Sequence, residues 1–208
     1  MFGPIWKRAD ALLTNPSTGP DDLYLLQHEV MALDLGIAKW QEAQVQDFKP
    51  RTVGYVSQGK AGPNPGVGYW PGKVDTYFDL YVAGVWNTSR TARFLLINLI
   101  YTLSNILNNN QDHSREQQDA LRLVEDICAS IPYHLADDLQ TFLRDMGKKN
   151  TTAMNPGRPV GGLLLMHPVY AASQLSIIPQ QMREYMRECL VWIGTHMGIG
   201  QASLFAKV

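Results

Sequence analysis

Apolar residues recur every three or four positions through most of this chain, and that period predicts a protein built of helices. In residues 21–48, Leu23, Leu26, Val30, Leu33 and Ile37 share one face behind Pro20, Asp21 and Asp22, which suit a helix start; one amphipathic helix is predicted, broken near Gly36. Segment 49–73 has six glycines and four prolines and reads as a loop, with Tyr55, Tyr69 and Trp70 laid against the body. From 75 to 107, Phe78, Val82, Val85, Ala92, Leu96, Leu99, Leu103 and Ile106 keep helical spacing, and the second half, "FLLINLIYTLSNIL", is apolar nearly all round. That predicts a long helix at the centre of the fold, ended by "NNNQDH". Ser114 and Gln117 form a capping box for the next helix, whose apolar face carries Leu121, Val124, Ile127, Cys128 and Ile131 and which Pro132 is expected to close. A short helix is predicted over 135–146, a loop over 147–161, and two C-terminal helices beyond. The last long one has Pro179 in its first turn and Met182, Tyr185, Met186, Cys189 and Ile193 on one face. Beyond "TVGYV" at 52–56, no alternating strand pattern exceeds four residues. The predicted class is all-α: one irregular multi-helix domain over 1–208 around the helix at about 75–107.

Composition narrows what such a domain does. The 208 residues are 45% hydrophobic, enough for a sizeable core. Lys plus Arg number 18 against 19 for Asp plus Glu, with no basic run to track phosphates, so direct nucleic-acid contact by this chain is not expected. Cys128 and Cys189 are too few for a disulfide framework and form no C-x-x-C pair, which fits a reducing compartment. "MFGPIWKRADALL" lacks the apolar core of a signal peptide. The uncharged stretch 161–178 is interrupted by His167, Pro168, Ser173, Gln174 and Ser176, so it reads as a buried helix rather than a membrane span.

Candidate chemistry is sparse. In "ICASIPYHL", Cys128 precedes His134 by six positions, but the cysteine belongs to an apolar face, where a thiol behaves as a small hydrophobe; buried packing is the expectation. The five histidines show no ligand spacing, and no metal or cofactor is expected. "GPNPGVG" lacks the strand and lysine of a phosphate loop, and "GIG" at 198–200 reads as a turn between helices. Arg90 and Arg93 enter a helix expected to be buried, so each needs a partner; internal pairing with carboxylates such as Asp137 or Asp138 is expected over ligand recognition.

Four segments in order, "FDLYVAGVWNTSRTARFLL", "ICASIPYHL", "GGLLLMHPVYAASQL" and "CLVWIGTHMGIGQASL", resemble the C-terminal regulatory region of fungal-specific transcription factors of the six-cysteine binuclear zinc cluster family. The resemblance spans roughly residues 20–206 and does not include the zinc cluster, its basic flank or the coiled coil. It implies a helical regulatory domain that binds a small apolar metabolite or a partner protein, nuclear within a transcription factor and otherwise cytoplasmic, with a homodimer as a further option and no membrane role. The alternative is a stand-alone, cofactor-free cyclase or isomerase, or a carrier, acting on a fungal secondary metabolite. The chain is accordingly either part of a longer regulator or a free-standing protein. Trp86, Arg90, Arg93, Tyr133, His134, His167 and Tyr170 are the candidate pocket residues, each polar or aromatic within apolar helical sequence.

Overall fold

A computed structural model describes residues 2–58, 65–107, 112–146 and 154–207, and these are predominantly helical with one two-stranded sheet. The chain opens with α1 (Phe2–Thr14), for which the sequence reading predicted no element, and α2 (Pro20–Glu42). Arg8 binds both carboxylate oxygens of Glu29 at 2.7 Å and fastens α1 to α2. α2 runs unbroken through Gly36, because a lone glycine weakens a helix without stopping it. A single 3-10 turn at Gln46–Phe48 takes up the rest of the expected 21–48 helix.

The 49–73 loop is corrected in part. β1 (Arg51–Val56) pairs antiparallel with β2 (Gly72–Thr76), with a register shift between Thr52 and Gly54. Tyr69 and Trp70 do lie inward, on Phe142 and Tyr185 at centroid distances of 5.0 and 4.9 Å. Tyr55 does not: 73% of it is exposed. β2 also moves the start of the central helix, since 75 and 76 are sheet residues and Asp79 caps α3 (Leu80–Ile106) by accepting from the Val82 N–H at 2.7 Å. Phe78 therefore lies ahead of the helix, and exposed.

α4 (Ser114–Leu135) begins differently from the predicted capping box: the Asp112 carboxylate, not Ser114, accepts from the helix start. The expected break "NNNQDH" lies largely outside the described residues. Pro132 does not close α4, which continues to Leu135 with the Ala136 N–H donating to the Pro132 carbonyl at 3.0 Å. Burial of Ile131 and Leu135 on the core face offsets the hydrogen bond that the proline removes. Then come α5 (Leu139–Met146), α6 (Pro159–Ser173), α7 (Gln180–His196) and a short α8 (Gly200–Phe205), one helix more than predicted. Pro179 is the residue before α7 rather than within its first turn. The 147–161 loop keeps only its second half among the described residues, and α6 starts inside it. Gly198, at φ 73°, makes the expected turn between α7 and α8.

α3 is central because its two flanks serve two cores. Leu96, Leu99, Ile100 and Leu103 meet Ala9, Leu23, Leu26 and Val30 of α1 and α2. Phe94 and Ile97 join the larger core shared by the sheet and α4 to α8, in which Met182, Tyr185, Met186, Cys189 and Ile193 take the places the period assigned. α6 crosses the end of α4 at backbone distance: a Cβ on Gly161 would lie 1.8 Å from the His134 carbonyl oxygen. Among the described residues no helix is long and apolar enough to cross a membrane.

Candidate functional site

The seven candidate residues fall in three places. Trp86, Arg90, Tyr133 and His134 converge where the first turns of α3 meet the end of α4, around Tyr77 and Asn87. The α3 spacing puts Trp86, Asn87 and Arg90 on its inner side, and all three are buried. Asn87 organises the group: its amide donates to Ser130 Oγ at 2.8 Å and contacts His134 Nε2 at 3.1 Å, while its Oδ1 accepts from Arg90 at 2.8 Å. His134 Nε2 is thus the acceptor and its proton resides on Nδ1, which among the described residues has no partner at full hydrogen-bond geometry, although the Gly161 backbone lies close to the ring. Burial, reinforced by the Arg90 charge, pulls His134 down to about 4. Arg90 also donates to Tyr77 Oη at 2.8 Å and lies over the Tyr77 and Trp86 rings at 5.8 and 5.7 Å. Trp86 donates to the Phe48 carbonyl at 2.6 Å, and Tyr133 packs on Tyr77 at 5.3 Å. This group is a filled, internally bonded knot.

The charged groups behind it continue outward. Arg90 Nε is 3.9 Å from Asp126, which pairs with Lys73 at 2.7 Å; Lys73 is also 3.6 Å from Asp75 Oδ2. Asp75 is 1% exposed and its other oxygen accepts from Thr52 at 2.7 Å. Burial opposes the charge on Lys73, but Asp126 and Asp75 outweigh it and hold the ammonium above its ordinary value.

Arg93, one turn beyond Arg90, faces α2 instead. Its Nε donates to Asp34 at 2.8 Å, Nη2 to the same carboxylate at 3.4 Å, and Nη1 to Gln41 at 3.0 Å. The expectation of internal pairing therefore holds for both arginines, but the partners are Asp34 and Asp126, not Asp137 or Asp138. Asp138 instead caps α5 through the Thr141 N–H at 2.8 Å.

Arg93 lines a cleft of about 520 Å³ where α2, α3, α4 and the sheet meet, together with Gln41, Trp70, Lys73, Arg122 and Asp126. Cys128 sits in its wall, 5% exposed, with burial pushing its thiol well up; it packs in the core and forms no pair with His134. Asp34, Lys73 and Asp126 are not singled out from the sequence, and Trp70 only as an aromatic laid against the body. Their signal is a charged residue flanking an apolar stripe: Asp34 lies four after Val30 and three before Ile37, and Asp126 adjoins Ile127.

A second hollow, of about 590 Å³, lies between α2 and α3 and is lined by Leu33, Ile37, Trp40, Val85, Thr88 and Ala92. Thr88 donates to the Gly84 carbonyl at 2.9 Å and Ser89, also in the lining, to the Trp86 carbonyl at 2.8 Å, so the hydroxyl protons are spent within the helix and the groove offers a partner mainly apolar contact. His167 and Tyr170 are elsewhere, on α6, against Phe205 at 5.4 and 4.6 Å. Among the described residues no group of three His, Cys, Asp or Glu is placed to hold a metal ion.

A helical scaffold that pairs Arg90, Arg93 and His134 internally and, among the described residues, has a charged cleft and an apolar groove at its surface suits binding. Known proteins agree in direction. The chain is 54% identical over 208 residues to Transcription factor dbaG of Emericella nidulans, a match that covers 99% of this chain and 49% of that protein. The chain thus spans about half the length of the curated relative it matches. No family model matches it, and no solved structure does.

Proposed function

We propose that this chain is a regulatory, ligand- or partner-binding helical domain of a fungal transcription regulator, of the kind that accompanies a binuclear zinc cluster, and that it works in the nucleus without itself holding DNA. The observation that carries this reading is the 54% identity to a transcription factor along 99% of the chain. Two features of the fold support it. The candidate acid–base groups of the knot are spent on internal bonds: His134 is sealed beside Asn87, and Arg90 beside Tyr77. The open surfaces, in contrast, are shaped for recognition, and the balanced charge offers no field for phosphates.

The test is transplantation. Fused to a heterologous DNA-binding domain in a fungal reporter strain, the chain should raise or lower reporter output relative to the DNA-binding domain alone at equal protein level. Identical output from the two, with the fusion soluble and folded, would count against a regulatory role.

A further inference from the structure

We propose that the cleft between α2, α3, α4 and the sheet binds a flat organic monoanion, an aromatic or conjugated carboxylate or enolate, whose charged end is held by Arg93 and whose ring lies along Trp70. The site goes beyond the regulatory reading and stands without it, since binding is a property of the chain alone.

Arg93 supplies the anion-binding end. A guanidinium has five N–H donors, and Asp34 and Gln41 take three of them at 2.8, 3.4 and 3.0 Å, which fixes the fork and leaves two donors uncommitted among the described residues. The side chain is only 11% exposed, so what meets those donors meets them in a partly desolvated setting where charge-assisted bonds are strong.

The charges in and behind the cleft nearly cancel, with Asp34, Asp75 and Asp119 paired to Arg93, Lys73 and Arg122, so selection of an anion rests on the oriented donors of Arg93 rather than on net charge. Lys73, Arg93 and Arg122 face Glu125 and Asp126 across it. Asp126 is engaged by Lys73 at 2.7 Å and by the buried Arg90 at 3.9 Å. Burial and the neighbouring Asp126 raise the Glu125 carboxyl above its ordinary value. Arg122 stands at the rim, paired with Asp119 at 3.0 Å.

The other half of the cleft is apolar. Trp70 is held against Tyr185 at 4.9 Å and so presents a fixed ring, while Leu123 and Cys128 add buried apolar wall. A rigid aromatic face near an oriented guanidinium selects a planar ligand with a single anionic end. The volume, about 520 Å³, suits a molecule of two or three rings.

Isothermal titration of the purified chain with 2-naphthoate and with its neutral isostere 2-naphthamide tests the proposal. The expected result is one saturable site with naphthoate bound about tenfold tighter or more, the advantage of a charge-assisted hydrogen bond over a neutral one. In the double variant Asp34→Asn/Arg93→Gln, which removes both charges and leaves no carboxylate unpaired, the two probes should bind alike. Trp70→Leu should weaken both. Equal affinity of the probes for the unmodified chain, failure of either to saturate, or a naphthoate preference that survives in the folded double variant would overturn the assignment. Should the double variant not fold, Arg93→Lys keeps the charge but loses the fork, and an undiminished preference there would overturn it equally.

Discussion

Acidification should unfold this domain through one buried ring. His134 is 2% exposed, accepts from Asn87 at 3.1 Å through Nε2, and sits near the Arg90 guanidinium; protonation would turn that acceptor into a donor facing an N–H and add a like charge beside Arg90. The folded form therefore holds the proton weakly, at about 4, against about 6.5 in the unfolded chain. The sign follows: with the folded value depressed, the unfolded state binds the proton first, so the contribution is complete above 6.5 and is lost as pH falls toward 4. Between pH 7 and pH 4.5 the loss from this one group is roughly 2.5 kcal/mol, taking 1.36 kcal/mol per unit. Acidification acts on the whole chain and not on this ring alone, so the measurement is a difference of differences. Urea denaturation of the unmodified chain and of His134→Gln at both pH values should show the variant losing about 2.5 kcal/mol less on acidification. Equal losses would refute the assignment of His134 as a neutral buried acceptor.

Gly161→Ala places a Cβ 1.8 Å from the His134 carbonyl, backbone against backbone, and should destabilise by about 3 kcal/mol in the same denaturation assay; a change below about 0.5 kcal/mol would mean that α6 and α4 are not this close. Arg93→Ala strips Asp34 of its partner and should cost about 2 kcal/mol, and a cycle with Asp34→Ala should recover part of that cost as a favourable coupling. Cys128, buried and with its thiol pushed up, should react with a thiol reagent only as fast as the chain unfolds, and Cys128→Ala should cost about 1 kcal/mol.

What could be read in the sequence was whatever repeats along a helix. The face running from Met182 to Ile193 and the central burial of α3 follow from period alone, because each buried position has neighbours three and four away that share its fate. The misplacements have local causes. β2 is divided by the sequence reading between the 49–73 loop and the start of the 75–107 helix, because so short a run shows no alternation, and the Asp79 cap is what marks the true helix start. Pro132 was read as a terminator because a proline's cost is local, whereas the core contacts that overrule it come from distant elements. Arg90 and Arg93 were correctly expected to be paired. Their partners were missed because Asp34 lies 59 positions from Arg93, a distance that only the packing of α2 on α3 closes. The cleft is assembled from five separate parts of the chain, so no single stretch announces it.

The most direct test of the central claim, that this domain acts on gene expression by binding, is the transcript profile of a fungus carrying the gene with Asp34→Asn/Arg93→Gln in place of the native codons. The account predicts normal protein level with a coordinated change in the messenger RNA of a set of genes. Unchanged transcripts accompanied by loss of one metabolite and accumulation of its precursor would contradict it and mark the chain as a catalyst.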